Sequence, residues 1–442
     1  MAVVTQVLRR KLSLFDVLCI GINAIVGSGV FSLPDDMQRE MGGWSPLAFA
    51  LCALLLLPVA LCFAELSSAH DETGGSYIYA RKAFGHHIGF VVGWFCWLST
   101  FVSWAANTTL LVDLLGVQTW PFNKVVVVTV ICSLGAVNYF GVKPGAWLIN
   151  AMVIGKLTAI FCFLAVAVMA FDPQPLGGAL PRGMAGVGQG IYLALFPLQG
   201  FEVTPVAAGE TANPKRNVPL ATMGALLFSA VLFIAVQSVL VGVYPKLGEK
   251  ESYTPLLDAS RYLGPTLGVV VLVGSLVSMG GFTAGSALGA PRYAQAIAQN
   301  GLLPAPVAKT HPRFQTPHVA IVVTTVITAV LGAFFDYRRL VGMTNITVVM
   351  QYLFTCLAVP VLRRKAREAG DAGADYRTAS PEARAKPPIK SDRFVIPGGP
   401  VIPLLGALGS LFLLYGADWK EAAFGVGALI VGGLVAYFSK PR

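Results

Sequence analysis

The chain alternates long apolar stretches with short polar ones. A helix needs about 20 mainly apolar residues to cross the hydrocarbon core of a bilayer. The pattern predicts twelve such spans, at 12–40, 45–69, 88–116, 123–140, 145–171, 186–210, 218–243, 264–298, 318–335, 339–361, 400–417 and 420–438. Two of them should not be continuous helices. The first contains GINAIVGSGVFSLP, with Gly27, Ser28 and Gly29 in a row and Pro34 soon after. Glycine and serine at that density weaken a helix, through backbone entropy and competing hydrogen bonds. Backbone can unwind at membrane depth only where protein or a water-filled cavity receives it. This stretch therefore predicts a cavity, with freed amides and carbonyls available to a polar ligand.

The sixth span carries an echo. Gly200 and Pro205 repeat the spacing of Gly29 and Pro34, 171 residues further on, and Pro197 lies just ahead in FPLQGFE. Interrupted helices at matching places in two five-span halves point to an inverted repeat, here 12–171 and 186–361. Five is odd, so the second half begins on the opposite side of the membrane. The stretch 363–396, charged and holding Pro381, Pro387 and Pro388, reads as a mobile cytoplasmic linker to two extra helices at 400–438. The expected fold is an all-α polytopic membrane protein, with 1–442 as a single membrane domain.

Composition agrees: 55% of the 442 residues are apolar and 12% charged. The net charge of +10 would suggest nucleic acid in a soluble chain, but here the basic residues fall between apolar stretches. With twelve spans, 22 lysines and arginines lie on the side of the termini, 9 on the other, and Lys156 within a span. That asymmetry puts both termini in the cytoplasm of a plasma membrane, in bacteria the inner membrane. No cleavable signal peptide is expected, because no trusted cleavage pattern follows the first apolar run. The seven cysteines form no CxxC pair, so neither a disulfide framework nor a metal site is expected. No GxxxxGK[ST] loop is present, which argues against ATP-driven transport. No nucleophile–base set suggests an enzyme, and no cofactor is expected.

Four stretches carry a family resemblance. GSGVFSLP (27–34), AELSSAHDETGGSYIYARKAFG (64–85), GFEVTPVAAGETANPKRNVP (200–219) and PRYAQAIAQNGLLP (291–304) resemble, in order, segments of the amino acid–polyamine–organocation transporters. The resemblance implies the five-plus-five inverted-repeat fold of the leucine-transporter type, with helices 1 and 6 broken. It also implies alternating-access transport of an amino acid or related amine.

The candidate substrate site is Ile25, Val26, Gly27, Ser28 and Gly29 from the first break, with Phe196, Pro197, Gln199 and Gly200 from the second. Amides opening a half-helix suit a carboxylate, and carbonyls near Pro197 and Gln199 suit an ammonium. The resemblance makes Phe196 a gating aromatic. Lys156 is a lone ammonium deep in the fifth span, and such a group needs partners. By resemblance it replaces the sodium ion of sodium-coupled relatives, its head directed at carbonyls around Gly21 to Ala24, so transport should not need sodium. Glu202, ionisable within a span, is a candidate proton carrier, whereas Glu65 reads as structural. Trp104, Asn107, Ser286 and Asn345 are further candidates for the pocket wall. Away from the span ends few carboxylates fall within the spans (Glu65, Glu202 and Asp113), which favours a neutral amino acid over a cationic one or a polyamine. Proton symport is the leading reading and obligatory exchange the alternative. A channel or a transporter-like sensor is less well supported.

Overall fold

A computed structural model describes residues 12–70, 74–141, 146–373 and 394–438. Arg9, Arg10, Lys11, Lys143, Lys440 and Arg442, used above to orient the chain, lie outside these residues, as does 374–393 of the expected linker. The described elements are helical: α1 (Leu14–Ile25), α2 (Gly29–Ser32), α3 (Pro34–Met41), α4 (Pro46–Ala69), α5 (Ser76–Phe84), α6 (His86–Leu114), α7 (Phe122–Tyr139) and α8 (Ala146–Ala167). Then follow α9 (Gly183–Leu198), a 3₁₀ segment (Phe201–Glu210), α10 (Pro214–Val243), α11 (Pro255–Leu263), α12 (Pro265–Gln299), α13 (His318–Phe334), α14 (Tyr337–Gly373), α15 (Val401–Leu413) and α16 (Trp419–Phe438). Among the described residues, β-structure is limited to two isolated bridges. Among the described residues, nine helical segments are long and apolar enough to cross a membrane, counting each interrupted pair as one, and His318–Phe334 and Val401–Gly416 are shorter apolar helices.

Burial sorts the helices into a centre and a periphery. Helix α6 is buried almost all round, including Phe95, Val102, Trp104 and Asn107. Helices α7, α8, α15 and α16 turn Val125, Trp147, Ile154, Leu404, Leu408 and Val431 outward. An apolar outward face is what a lipid environment accepts without penalty.

The first interrupted helix begins at a capping box: the Asp16 amide donates to Ser13 Oγ at 3.2 Å and the Ser13 amide to Asp16 Oδ2 at 2.9 Å. Just before it, Leu12 bridges to Thr211. The start of α1 is thereby fixed beside the end of the 3₁₀ segment, which brings the two interrupted helices side by side.

At the other end of the sequence, α14 continues as helix through Arg363 to Gly373, where the charge pattern predicts a linker. Lys365, Ala366, Arg367, Glu368 and Ala369 are good helix formers, and charge does not stop a helix that has left its packed environment. Arg363 is held by Glu65: its Nε donates to Oε1 at 2.6 Å and its NH2 nitrogen to Oε2 at 2.5 Å. The Ile396 amide also donates to Glu65 Oε2, at 2.8 Å. One carboxylate thus joins α4, the far part of α14 and the chain leading to α15.

Glu65→Ala would leave a largely buried guanidinium and a buried amide without their acceptor. It is expected to destabilise the protein by about 2 kcal/mol, less than the roughly 3–5 kcal/mol of a fully buried pair because Arg363 keeps some solvent contact. Thermal unfolding of the detergent-solubilised protein would read this as a melting point lowered by several degrees. An unchanged melting point would contradict the structural role given to Glu65.

Candidate functional site

Helix α1 stops at Ile25 and α2 starts at Gly29. Between them the backbone finds partners outside the helix. The Gly27 amide turns back to the Ile25 carbonyl at 2.8 Å. The Ser28 amide donates to Asn107 Oδ1 on α6 at 3.1 Å. The freed carbonyls of this segment are taken up by two other helices. Lys156 on α8 donates to the Val26 carbonyl at 2.7 Å, to Asn23 Oδ1 at 2.9 Å and to the Asn23 carbonyl at 3.4 Å. Ser278 Oγ on α12 lies 2.9 Å from the Val26 carbonyl and 3.1 Å from that of Gly27.

Lys156 is 0% exposed, and all three acceptors are uncharged oxygens. Three acceptors match the three N–H bonds of an ammonium. The sequence resemblance directs this head at Gly21 to Ala24. It reaches Asn23 within that range and Val26 beyond it, because the last carbonyls of a helix are those left without an internal partner.

The second break falls two residues later than Pro197. Helix α9 runs through that proline to Leu198; Gln199 is extended, and Gly200 turns the chain at φ 122°. A proline in the last turn removes only one backbone bond, whereas positive φ at Gly200 forbids helix continuation. The second half resumes as 3₁₀, a form uncommon at ten residues. Glu202 closes the turn: its Oε2 accepts from the Gly200 amide at 2.8 Å and from the Tyr352 hydroxyl of α14 at 2.9 Å.

The breaks touch reciprocally through glycines. A Cβ on Gly29 would sit 2.6 Å from Pro197 Cγ, and one on Gly200 would sit 2.6 Å from the Ala24 carbonyl. Only hydrogen fits at both crossings.

A cavity of about 540 Å³ lies between the breaks. Of the residues expected to form the site, Ile25, Gly27, Ser28, Gly29, Phe196, Gln199, Gly200 and Glu202 line it. Val26, Pro197 and Lys156 stand behind the lining: Val26 is fully buried beneath Lys156, and Pro197 packs on Gly29. Asn107 and Ser286 reach the wall; Trp104 and Asn345 do not, and Asn345 donates instead to the Tyr192 carbonyl at 3.0 Å.

The cavity extends toward Gly74, Arg292 and Asn300. The other end is sealed. Tyr337, at the start of α14, donates to Ser28 Oγ at 3.2 Å, accepts from Ser32 Oγ at 2.7 Å and meets the Phe196 ring edge-on at 6.1 Å. Beyond it, Arg338 pairs with Asp36 of α3 at 2.9 Å, bonds Glu251 and lies 4.5 Å over the Tyr253 ring. Arg39 pairs with Asp35 at 2.5 Å. Nothing local in the sequence marks Tyr337 or Ser278 as a partner of a distant helix. Asn23, a carboxamide amid apolar residues, was a readable signal.

The two interrupted helices thus meet on one cavity within an apolar bundle, and sequence comparison gives the family. The profile of the amino acid permease family matches residues 12–428. The chain belongs to the amino acid permease family. It is a multi-pass membrane protein of amino acid transport. The chain is 26% identical to a branched-chain amino acid permease of Bacillus subtilis, over 98% of this chain and 94% of that one. A methylthioribose transporter of the same bacterium matches at the same identity and coverage. Mouse cationic amino acid transporter 4 is 27% identical over 80% of this chain and 60% of its own.

Two glycine substitutions separate close approach from mere helix content. Gly200→Ala combines positive φ with a clash and is expected to cost about 2 kcal/mol or more, read as a lowered melting temperature. Gly285→Ala, where nothing lies within 4 Å of the added methyl, is expected to leave the melting temperature unchanged or slightly raised. Equal effects would mean that the two breaks do not depend on their contact.

Proposed function

We propose that this permease is a secondary transporter that moves a neutral L-amino acid by alternating access, with the substrate held at mid-membrane between the two breaks. The observation that carries this reading is the meeting of both interrupted helices on one cavity that is open at one end and sealed at the other. The amides that open α2 suit the α-carboxylate. The carbonyls of Phe196 and Pro197, at the end of α9, suit the ammonium. The full architecture in this reading is twelve spans as two inverted five-helix repeats, 12–171 and 186–361, with the 400–438 pair outside them. Both termini are cytoplasmic, in a plasma membrane or bacterial inner membrane. The open end, with Arg292 and Asn300, then faces the cytoplasm, and the Asp36–Arg338 cluster closes the outer side.

A neutral substrate is favoured because Glu202, the one carboxylate lining the cavity among the described residues, already serves Gly200 and Tyr352. The Lys156 ammonium holds the unwound carbonyls that a bound cation would otherwise hold, so the cycle runs without sodium. Glu202 is the candidate coupling group. Protonation from the open end would weaken its grip on the Gly200 amide and loosen the second break, which links proton entry to rocking of that helix. Obligatory exchange is the alternative coupling.

Proteoliposomes loaded with buffer and given a panel of labelled neutral amino acids test the reading. Uptake is expected without sodium and to be stimulated by an inward proton gradient, with the stimulation lost in Glu202→Gln. Uptake that collapses when sodium is withdrawn at fixed pH would overturn the role of Lys156. Strict dependence on internal substrate would replace symport by exchange. Ser28→Trp, which fills the first break, is expected to abolish uptake; transport that survived it would mean the site lies elsewhere.

A further inference from the structure

Backbone groups in the two breaks can recognise only what all α-amino acids share, so the side chain must be read by the cavity wall. Most polar groups on that wall are already engaged. Ser99 Oγ donates to the Cys96 carbonyl at 3.1 Å and accepts from Gln351 Nε2 at 2.7 Å. The Thr344 hydroxyl donates to the Leu340 carbonyl at 2.9 Å. Asn107 uses one end of its carboxamide on the Ser28 amide and the other on the Ser103 carbonyl.

Two groups differ. The Gln199 carboxamide oxygen is buried with no hydrogen-bond partner among the described residues, in a side chain that lines the cavity and is 8% exposed. Ser286 on α12 also lines the cavity at 8% exposure, and its hydroxyl has no partner among the described residues. Both sit next to the breaks. Gln199 precedes Gly200, whose backbone touches Ala24. Ser286 lies one helical turn beyond Phe282, whose ring comes within 3.3 Å of the Cβ position of Gly27. There is room beside them: Gly285 and Gly289 line the same cavity, with nothing within 4 Å of where their Cβ atoms would be.

We propose that Ser286 and Gln199 read the side chain of the transported amino acid, and that this side chain carries an uncharged hydrogen-bonding group, a hydroxyl or an amide, seated in the space left by Gly285 and Gly289. This rests on the reading that the cavity binds an amino acid, and it separates the chain from the relative named for branched-chain substrates. A hydrocarbon side chain would cover two polar groups without replacing the water they lose. A site built to hydrogen-bond its ligand discriminates strongly against an isostere that lacks the group.

The test is competition binding to the purified full chain with near-isosteric pairs, threonine against valine and asparagine against leucine. In at least one pair the polar member is expected to bind about tenfold tighter or more. Ser286→Ala and Gln199→Leu are each expected to reduce that preference by weakening the polar member alone. Equal or tighter binding of valine and leucine would overturn the proposal, as would a preference that both variants retain. Should Gln199→Leu fail to give a monodisperse protein, Ser286→Ala decides the matter by the same ratio. If no amino acid of any kind binds, the reading of the cavity as an amino acid site falls first and takes this proposal with it.

Discussion

The organisation of this permease depends on a buried ammonium that holds an unwound backbone. Lys156 reaches the Val26 carbonyl and both oxygens of Asn23 from a position with no exposure. Burying an ion costs several kcal/mol unless its hydrogen bonds are complete. Leaving carbonyls unpaired at membrane depth costs a similar amount for each group. Each deficit satisfies the other. The carbonyls also lie at the end of α1, where the helix dipole presents its negative pole. Ser278 completes the set from α12, so the first break is held by side chains of two separate helices.

The second break has a different support, and the two constrain each other. Glu202 ties the Gly200 amide to Tyr352, while Gly29 against Pro197 and Gly200 against Ala24 permit backbone approach that a methyl group would block. The breaks are therefore not two independent weak points. A shift of either must be accommodated by the other across these crossings. Tyr337 adds a link, bonded to Ser28 and Ser32 of the first segment and packed edge-on against Phe196 of the second. It sits between the cavity and the charged cluster of Asp36 and Arg338. Loosening that cluster would thus be felt at Ser28.

Much of this was legible in the sequence. Long apolar runs located the helices, because a helix buried in lipid or protein has few polar residues to disguise it. Dense glycine and serine at Gly27 to Gly29, and the Gly200–Pro205 echo, located the breaks, because those residue types act on the backbone itself. Within the expected second break the helix gives way at Gln199 and Gly200 and not at Pro197, because the turn is set by positive φ at Gly200, a conformation the sequence permits without requiring. Beyond Arg363 the charge pattern suggests a linker, whereas the structure continues as helix to Gly373, because these residues keep intrinsic helix propensity. Partners such as Ser278 and Tyr337 were not legible at all: what makes them matter is which helices cross, and that is decided by packing over the whole bundle.

The most direct test concerns the ammonium itself. Amide hydrogen exchange across residues 21–33 should be compared between the native chain and Lys156→Met, which keeps much of the volume and removes the donors. The account predicts faster exchange concentrated in that segment, about tenfold or more for a loss of 1.4 kcal/mol of local order, with the surrounding helices little changed. An unaltered exchange profile in residues 21–33 would show that the unwound helix holds its form without Lys156, and would contradict the account at its centre.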